Sequence, residues 1–199
     1  MNKQDLLMVG VGGQGIILAS DIMGEVALAA GYDVKKTDTL GMAQRGGSVV
    51  SHVRIAEQVR SPLIEEGEID ILLAFEKLEA ARWGHYLRPG GLALINNHAL
   101  PPLSVSLGTT RYPGDEEVEI ILKRRTDRIH FTNGTSRAGE MGDIRMLNTL
   151  MLGCISSFLP IDVQVWQDCI SRRLPSKILQ MNLAAFDEGR KETSGVNLG

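Results

Sequence analysis

Leu6-Leu7-Met8-Val9-Gly10-Val11-Gly12-Gly13-Gln14-Gly15-Ile16 decides the fold. A short apolar run leads into glycines with G-x-G-x-x-G spacing, and an Ala/Leu/Ile-rich segment from Ile16 to Ala30 follows, long enough for a helix. Gly31 is placed to end that helix, and Tyr32-Asp33-Val34-Lys35 restarts as a strand, giving a βαβ unit of about thirty residues. In this spacing Gly10 permits the tight turn, Gly12 lets backbone approach a phosphate, and Gly15 lets helix and strand pack closely. The helix N-terminus beyond offers unpaired N–H groups and partial positive charge to an anion. A dinucleotide site also calls for an acid ending the second strand. Asp33 lies at that strand's start, Asp38 follows Lys35-Lys36, and Gln14 stands where simple dehydrogenases carry a small or apolar residue. Two readings stay open, a nucleotide site and a ligand-free strand–helix turn.

Strand and helix signals keep alternating outward from the turn. Ser48 to Ile55 is β-branched, and Ile69 to Phe75 and Leu92 to Asn96 read as buried strands. Lys77 to Leu87 reads as a helix stopped by Pro89-Gly90-Gly91. Acids at Asp115-Glu116-Glu117 begin another helix, and Ile129-His130-Phe131 is a brief strand. Ile144 to Phe158 keeps a three-four apolar rhythm, predicting an amphipathic helix ended by Pro160. Helices near Val163–Arg173 and Ser176–Glu188 follow. The expectation is a single α/β unit over 1–188, a three-layer Rossmann-like sandwich with a largely parallel sheet and a helical C-terminal part, and a polar tail over 189–199.

Composition narrows the function classes. The 199 residues carry 24 acids against 21 bases, so no basic excess exists to neutralise nucleic-acid phosphates. No apolar stretch is long enough for a membrane span, and the N-terminus does not read as a signal peptide. Only Cys154 and Cys169 supply thiols, too few for a four-cysteine zinc site or an iron–sulfur cluster within one chain, and both fall in helical segments. A disulfide framework is not expected, and a reducing cytoplasm is the natural compartment. The four histidines are scattered, without metal-ligand spacing.

A second glycine-rich loop, Gly41-Met42-Ala43-Gln44-Arg45-Gly46-Gly47-Ser48, can present backbone donors and the Arg45 guanidinium to a phosphate or carboxylate. The plainer reading is a loop with a solvated arginine. His52 and Arg54 share one face of the next strand, and a half-buried strand histidine is more often structural than a general base. Glu76 ends the strand begun at Ile69, where open α/β sheets place ligands, although helix N-terminal electrostatics alone favour an acid there.

Taken together, Gly10–Ile16, the stretch Thr39–Arg54 containing Gly-Met-Ala-Gln-Arg-Gly-Gly, Asp70–Glu76, Leu87–Gly91 and Asn148–Gly153 resemble the gamma subunit or gamma domain of 2-oxoacid:ferredoxin oxidoreductases. The likeness covers roughly residues 4 to 188, and the loop with Gln44 ahead of Arg45 is most similar to the small (beta) subunit of indolepyruvate oxidoreductases. It implies oxidative decarboxylation of a 2-oxo acid on thiamine diphosphate, transfer of the acyl group to coenzyme A, and electrons passed through iron–sulfur clusters to ferredoxin.

This chain lacks the cysteines for clusters and a Gly-Asp-Gly segment followed by Asn for thiamine diphosphate and its divalent metal. The implied role is therefore a companion subunit, inactive alone, with those groups held by a larger partner. Gly10, Gly12, Gly13, Gln14, Gly15, Gly41, Gln44, Arg45, Gly46, Gly47, Ser48 and Glu76 are the candidate residues of loops facing the active site or coenzyme A. Arg45 is the expected contact to an anion. The alternatives are a pyruvate or 2-ketoisovalerate gamma subunit, a stand-alone nucleotide-binding enzyme, and a non-catalytic scaffold. Without its partner the chain can self-associate as a homodimer through exposed apolar surface.

Overall fold

A computed structural model describes residues 3–41 and 46–195. Six strands form one sheet: β1 (Gln4–Val11), β2 (Asp33–Leu40), β3 (Ser48–Ala56), β4 (Ile69–Ala74), β5 (Leu87–Asn96) and β6 (Ile129–Thr132). The helices are α1 (Ile16–Ala29), α2 (Lys77–Trp83), α3 (Leu103–Ser106), α4 (Asp115–Lys123), α5 (Gly134–Glu140), α6 (Leu147–Ser156), α7 (Val163–Arg173) and α8 (Ser176–Thr193).

The strand order is β2-β3-β1-β4-β5-β6. Pairs β1–β4, β4–β5 and β5–β6 are parallel, whereas β3 runs antiparallel to both its neighbours. The sheet is mostly parallel, as expected. The first βαβ unit, however, is split: β3 lies between β1 and β2. Alternation along β1 sends Leu6 and Met8 to one face and Leu7 and Val9 to the other, all fully buried. Layers therefore cover both faces, as parallel sheets require. Ala80 of α2 and Val118 and Leu122 of α4 pack on one side, and the other is covered by α1, α6, α7 and α8.

Four expectations are corrected. The helix predicted over Lys77–Leu87 ends at Trp83, passes through a 3-10 turn at Gly84–Tyr86, and β5 already begins at Leu87. Pro89-Gly90-Gly91 lies inside β5, because the register jumps from Ile69↔Leu87 to Ile71↔Leu92 and the bulge absorbs a residue that cannot donate to the ladder. The segment from Ile144 is a 3-10 turn to Met146 followed by α6, which is buried on every side and not amphipathic. Gly189 to Thr193, read as the start of the tail, continue α8, and Thr193 is buried, with its hydroxyl donating to the Cys154 carbonyl. Helices α3 and α5 were not foreseen. Gly134–Glu140 has too little apolar rhythm to announce a helix, and its buried residues are Gly134 and Ala138.

The closest helix contact is the crossing of α6 and α8. A Cβ placed on Gly153 would sit 2.0 Å from the Phe186 carbonyl oxygen, and one on Gly189 would sit 1.9 Å from that of Leu150. Backbone therefore meets backbone there. Cys154 lies in this layer, and burial pushes its thiol up to about 12. The Trp166 and Phe186 rings pack nearby, tilted by 31° with centres 5.9 Å apart.

Two histidines give the fold a pH dependence. His52 on β3 accepts a 3.4 Å hydrogen bond from the Ile64 N–H, and its ring meets Tyr86 edge-on. Burial holds His52 and His130 below the ordinary histidine value of 6.5. Unfolding releases both to titrate normally. Below 6.5 the unfolded chain therefore binds more protons than the folded one, and stability falls as pH drops toward the folded values. Urea unfolding at about pH 7.5 and about pH 5.5 should show the lower stability in acid, and His52→Asn with His130→Asn should narrow that difference.

Candidate functional site

The glycine turn leaves β1 at Val11 and enters α1 at Ile16. Gly15 stands at the N-cap with φ +81°, where any side chain would be strained, and a Cβ there would meet the Asn148 Nδ2 at 2.7 Å. Among the described residues no side-chain cap is made at the start of α1, whose first N–H groups carry partial positive charge. At Gly10 a Cβ would lie 2.8 Å from the Gln14 Oε1 and 2.9 Å from Phe75. Gln14 folds back beneath the turn: its Oε1 accepts from the Val11 N–H at 2.8 Å and its Nε2 donates to the Phe75 carbonyl at 2.9 Å.

The two glycine loops come together. The Gly12 N–H donates to the Gly47 carbonyl at 2.8 Å, and the Gly41 N–H to that of Ser48 at 2.9 Å. Gln44 and Arg45 lie outside the described residues. Ser48 and Glu76 are committed elsewhere. The Ser48 hydroxyl donates to the buried Glu79 on α2, which also pairs with Arg82. Glu76 is itself buried, accepts from the N–H groups of Glu79 and Leu100 at 2.9 Å each, and takes the Tyr112 hydroxyl proton in a hydrogen bond. Burial and that carboxylate push the Tyr112 phenol well above its ordinary value. Glu76 thus caps α2 and anchors the segment crossing the carboxyl end of the sheet.

Two cavities flank the turn. One, of about 310 Å³, is lined by Gly12, Gly13, Gln14 and Gly15 together with His98, Leu100, Thr135, Ile144, Arg145, Leu147 and Asn148. The other, of about 400 Å³, lies between Gly12, Gly13, Gly15, Ile16 and Ile17 and the strand ends at Leu40, Gly41 and Val49. A third, of about 200 Å³, shares Arg145 and Asn148 with the first and reaches Ile178 and Met181. Thr135 and Arg145 were missed by sequence reasoning, since neither sits in a local motif. They arrive from α5 and from the turn before α6. Arg145 is exposed and held by Asp143, whose carboxyl it keeps below the usual range.

The dinucleotide reading loses its acid. With β3 inserted, β2 is not next to β1, and Asp38 is bonded to Lys36 at 2.8 Å and to Ser51 at 2.6 Å. Asp33 accepts from the Val59 N–H at 2.7 Å. Among the described residues, no group of three or more His, Cys, Asp or Glu is arranged to hold a metal ion, and no helix is long and apolar enough to cross a membrane.

This fold is shared with known proteins. Residues 5–192 match the family model described as pyruvate ferredoxin/flavodoxin oxidoreductase. The indolepyruvate oxidoreductase subunit IorB of Pyrococcus horikoshii is 34% identical over 194 residues, covering 96% of each chain. Among solved structures, the keto/oxoacid ferredoxin oxidoreductase gamma subunit of Geobacter sulfurreducens superposes with a TM-score of 0.71 at 22% identity, over 97% of this chain and 99% of that one. The 2-oxoglutarate:ferredoxin oxidoreductase of Magnetococcus marinus, solved with 2-oxoglutarate, coenzyme A and succinyl-CoA, gives a TM-score of 0.77 at 20% identity. All of this chain is matched there, to 32% of the longer one. With the family model running from β1 to α8 and a relative at 34% identity matched almost end to end, this chain belongs to the pyruvate ferredoxin/flavodoxin oxidoreductase family.

Proposed function

We propose that this chain is the small subunit of a cytoplasmic 2-oxoacid:ferredoxin oxidoreductase acting on indolepyruvate or a related arylpyruvate. A larger subunit carries the thiamine diphosphate, its divalent metal and the iron–sulfur clusters. One observation carries the reading: exposed apolar side chains gather around the glycine turn. The three cavities share lining residues, and the exposed Ile17, Leu40, Leu100, Ile144, Ile178 and Met181 line them. Clustered apolar side chains of this kind mark a protein contact, and the uncapped start of α1 supplies donors for an anion within it.

The cysteines do not fit a cluster. Cys154 and Cys169 are buried in separate helices, and the Cys154 thiol, held at about 12, is far from a ligating thiolate. The clusters' electron-transfer chemistry therefore belongs to the partner. What this chain contributes is a wall. Its apolar rim excludes water, and the α1 N-terminus with Arg45 meets the phosphates of coenzyme A or the carboxylate of the 2-oxo acid.

The test is anaerobic affinity purification followed by coenzyme A-dependent dye reduction with indolepyruvate, phenylpyruvate and pyruvate. A brown, iron–sulfur-bearing partner and oxidation of an arylpyruvate are expected. A chain that elutes alone and colourless, with every 2-oxo acid untouched, rejects the reading. Preference for pyruvate would move the assignment to the pyruvate-specific relatives. In the assembled complex, Arg45→Ala should lower kcat/KM for coenzyme A by about tenfold or more, the usual loss for a charge-assisted contact. Normal kinetics with normal assembly would leave the chain as a scaffold.

A further inference from the structure

We propose that Gln14, which lines the cavity at the glycine turn, is a positioning residue that fixes the turn against the Phe75 carbonyl. This rests on the reading that the turn faces coenzyme A. Both polar atoms of the carboxamide are engaged with protein, at Val11 and at the Phe75 carbonyl. That carbonyl, just past the end of β4, takes a second carboxamide: Asn96 Nδ2 donates to it at 2.9 Å. Asn96 continues to α5, donating to the Thr135 Oγ1 at 2.8 Å and accepting from the Thr135 N–H at 3.1 Å.

One carbonyl thus joins the turn after β1 to the start of α5. Both elements line the 310 Å³ cavity, through Gly12 to Gly15 and through Thr135. Cutting the Gln14 link frees the turn while Asn96 still holds the start of α5. The pairing also accounts for Gly10, whose missing Cβ leaves the space that the Gln14 Oε1 occupies. These two bonds fix the carboxamide against the protein, so its influence on the cavity passes through the turn.

The test uses Gln14→Met, similar in length but without either bond, and Gln14→Glu. In the isolated chain, amide exchange of Val11 should quicken by about tenfold in Gln14→Met, the scale of one lost hydrogen bond. Leu7 and Met8 should keep their protection, with the thermal midpoint nearly unchanged. In the assembled complex, KM for coenzyme A should rise by about tenfold or more with kcat nearly preserved.

Gln14→Glu adds a signature that general destabilisation does not produce. An ionised carboxylate still accepts from Val11 but faces the Phe75 oxygen. A protonated carboxyl regains a donor, so the KM defect should shrink as pH falls. Unchanged Val11 exchange overturns the proposal, as does a KM that stays at the wild-type value. A wild-type complex that oxidises no 2-oxo acid would reject the functional reading alone, and Val11 exchange would still decide whether Gln14 pins the turn.

Discussion

Gly189→Ala is expected to cost about 3 kcal/mol or more, and to lower the thermal midpoint by roughly 6–12 °C. The added Cβ would lie 1.9 Å from the Leu150 carbonyl oxygen, 2.9 Å from its carbon and 3.0 Å from the Cys154 nitrogen. All three are backbone atoms, so no side chain can rotate away. Ordinary overpacking costs about 1–3 kcal/mol because neighbours yield. Here α6 must move as a unit, and it is buried along its whole length. Gly153 makes the reciprocal contact, so the same substitution there should behave alike. Gly24 is the control. It lies inside α1 with nothing within 4 Å of a built Cβ, and Gly24→Ala should be neutral or stabilising by about 0.5–1 kcal/mol. Urea unfolding of the three variants checks this. Gly189→Ala with a wild-type midpoint would mean that the helices do not approach as closely as described.

Arg54→Met should destabilise by about 3 kcal/mol, at the low end of the range for breaking a buried ion pair. Asp5 is fully buried at the start of β1. Arg54 grips both its oxygens, Nε to Oδ1 at 2.9 Å and Nη2 to Oδ2 at 3.1 Å, and donates Nη1 to the Leu63 carbonyl. Without the guanidinium the carboxylate keeps only Lys3, at 2.8 Å and half exposed. The penalty is therefore chiefly that of a buried charge left short of partners. Replacing both residues, Asp5→Leu with Arg54→Met, should recover most of the loss. A double-mutant cycle by denaturant unfolding decides it, and a double variant no better than Arg54→Met alone would show that the cost lies elsewhere.

Much of the architecture was legible because buried parallel strands announce themselves as apolar runs bounded by glycine and acids. Leu6–Val9 and Leu92–Asn96 lie within strands, and Ile69–Phe75 became β4 except for its last residue. The place of β3 between β1 and β2 was not legible, since strand order depends on which edges meet and not on local pattern. The end of α8 was missed for a related reason. Read locally, the residues from Gly189 onward are a polar tail, yet in the fold Gly189 is where α6 presses against α8.

The candidate site divides the same way. The turn at Gly10–Gly15 came from recognisable glycine spacing, and its contact with Gly47 only from the fold. Thr135 and Arg145 came only through packing, and the engagements of Ser48, Glu76 and Gln14 with protein groups became apparent only once their neighbours were in place.

The crossing of α6 and α8 also bears on how the polypeptide is made. Because α8 follows α6 in the chain, α6 has no cover for one side until α8 has been made. Until then the nascent chain exposes a helix whose every residue is buried in the fold. That is the interval when a holdase has most to protect.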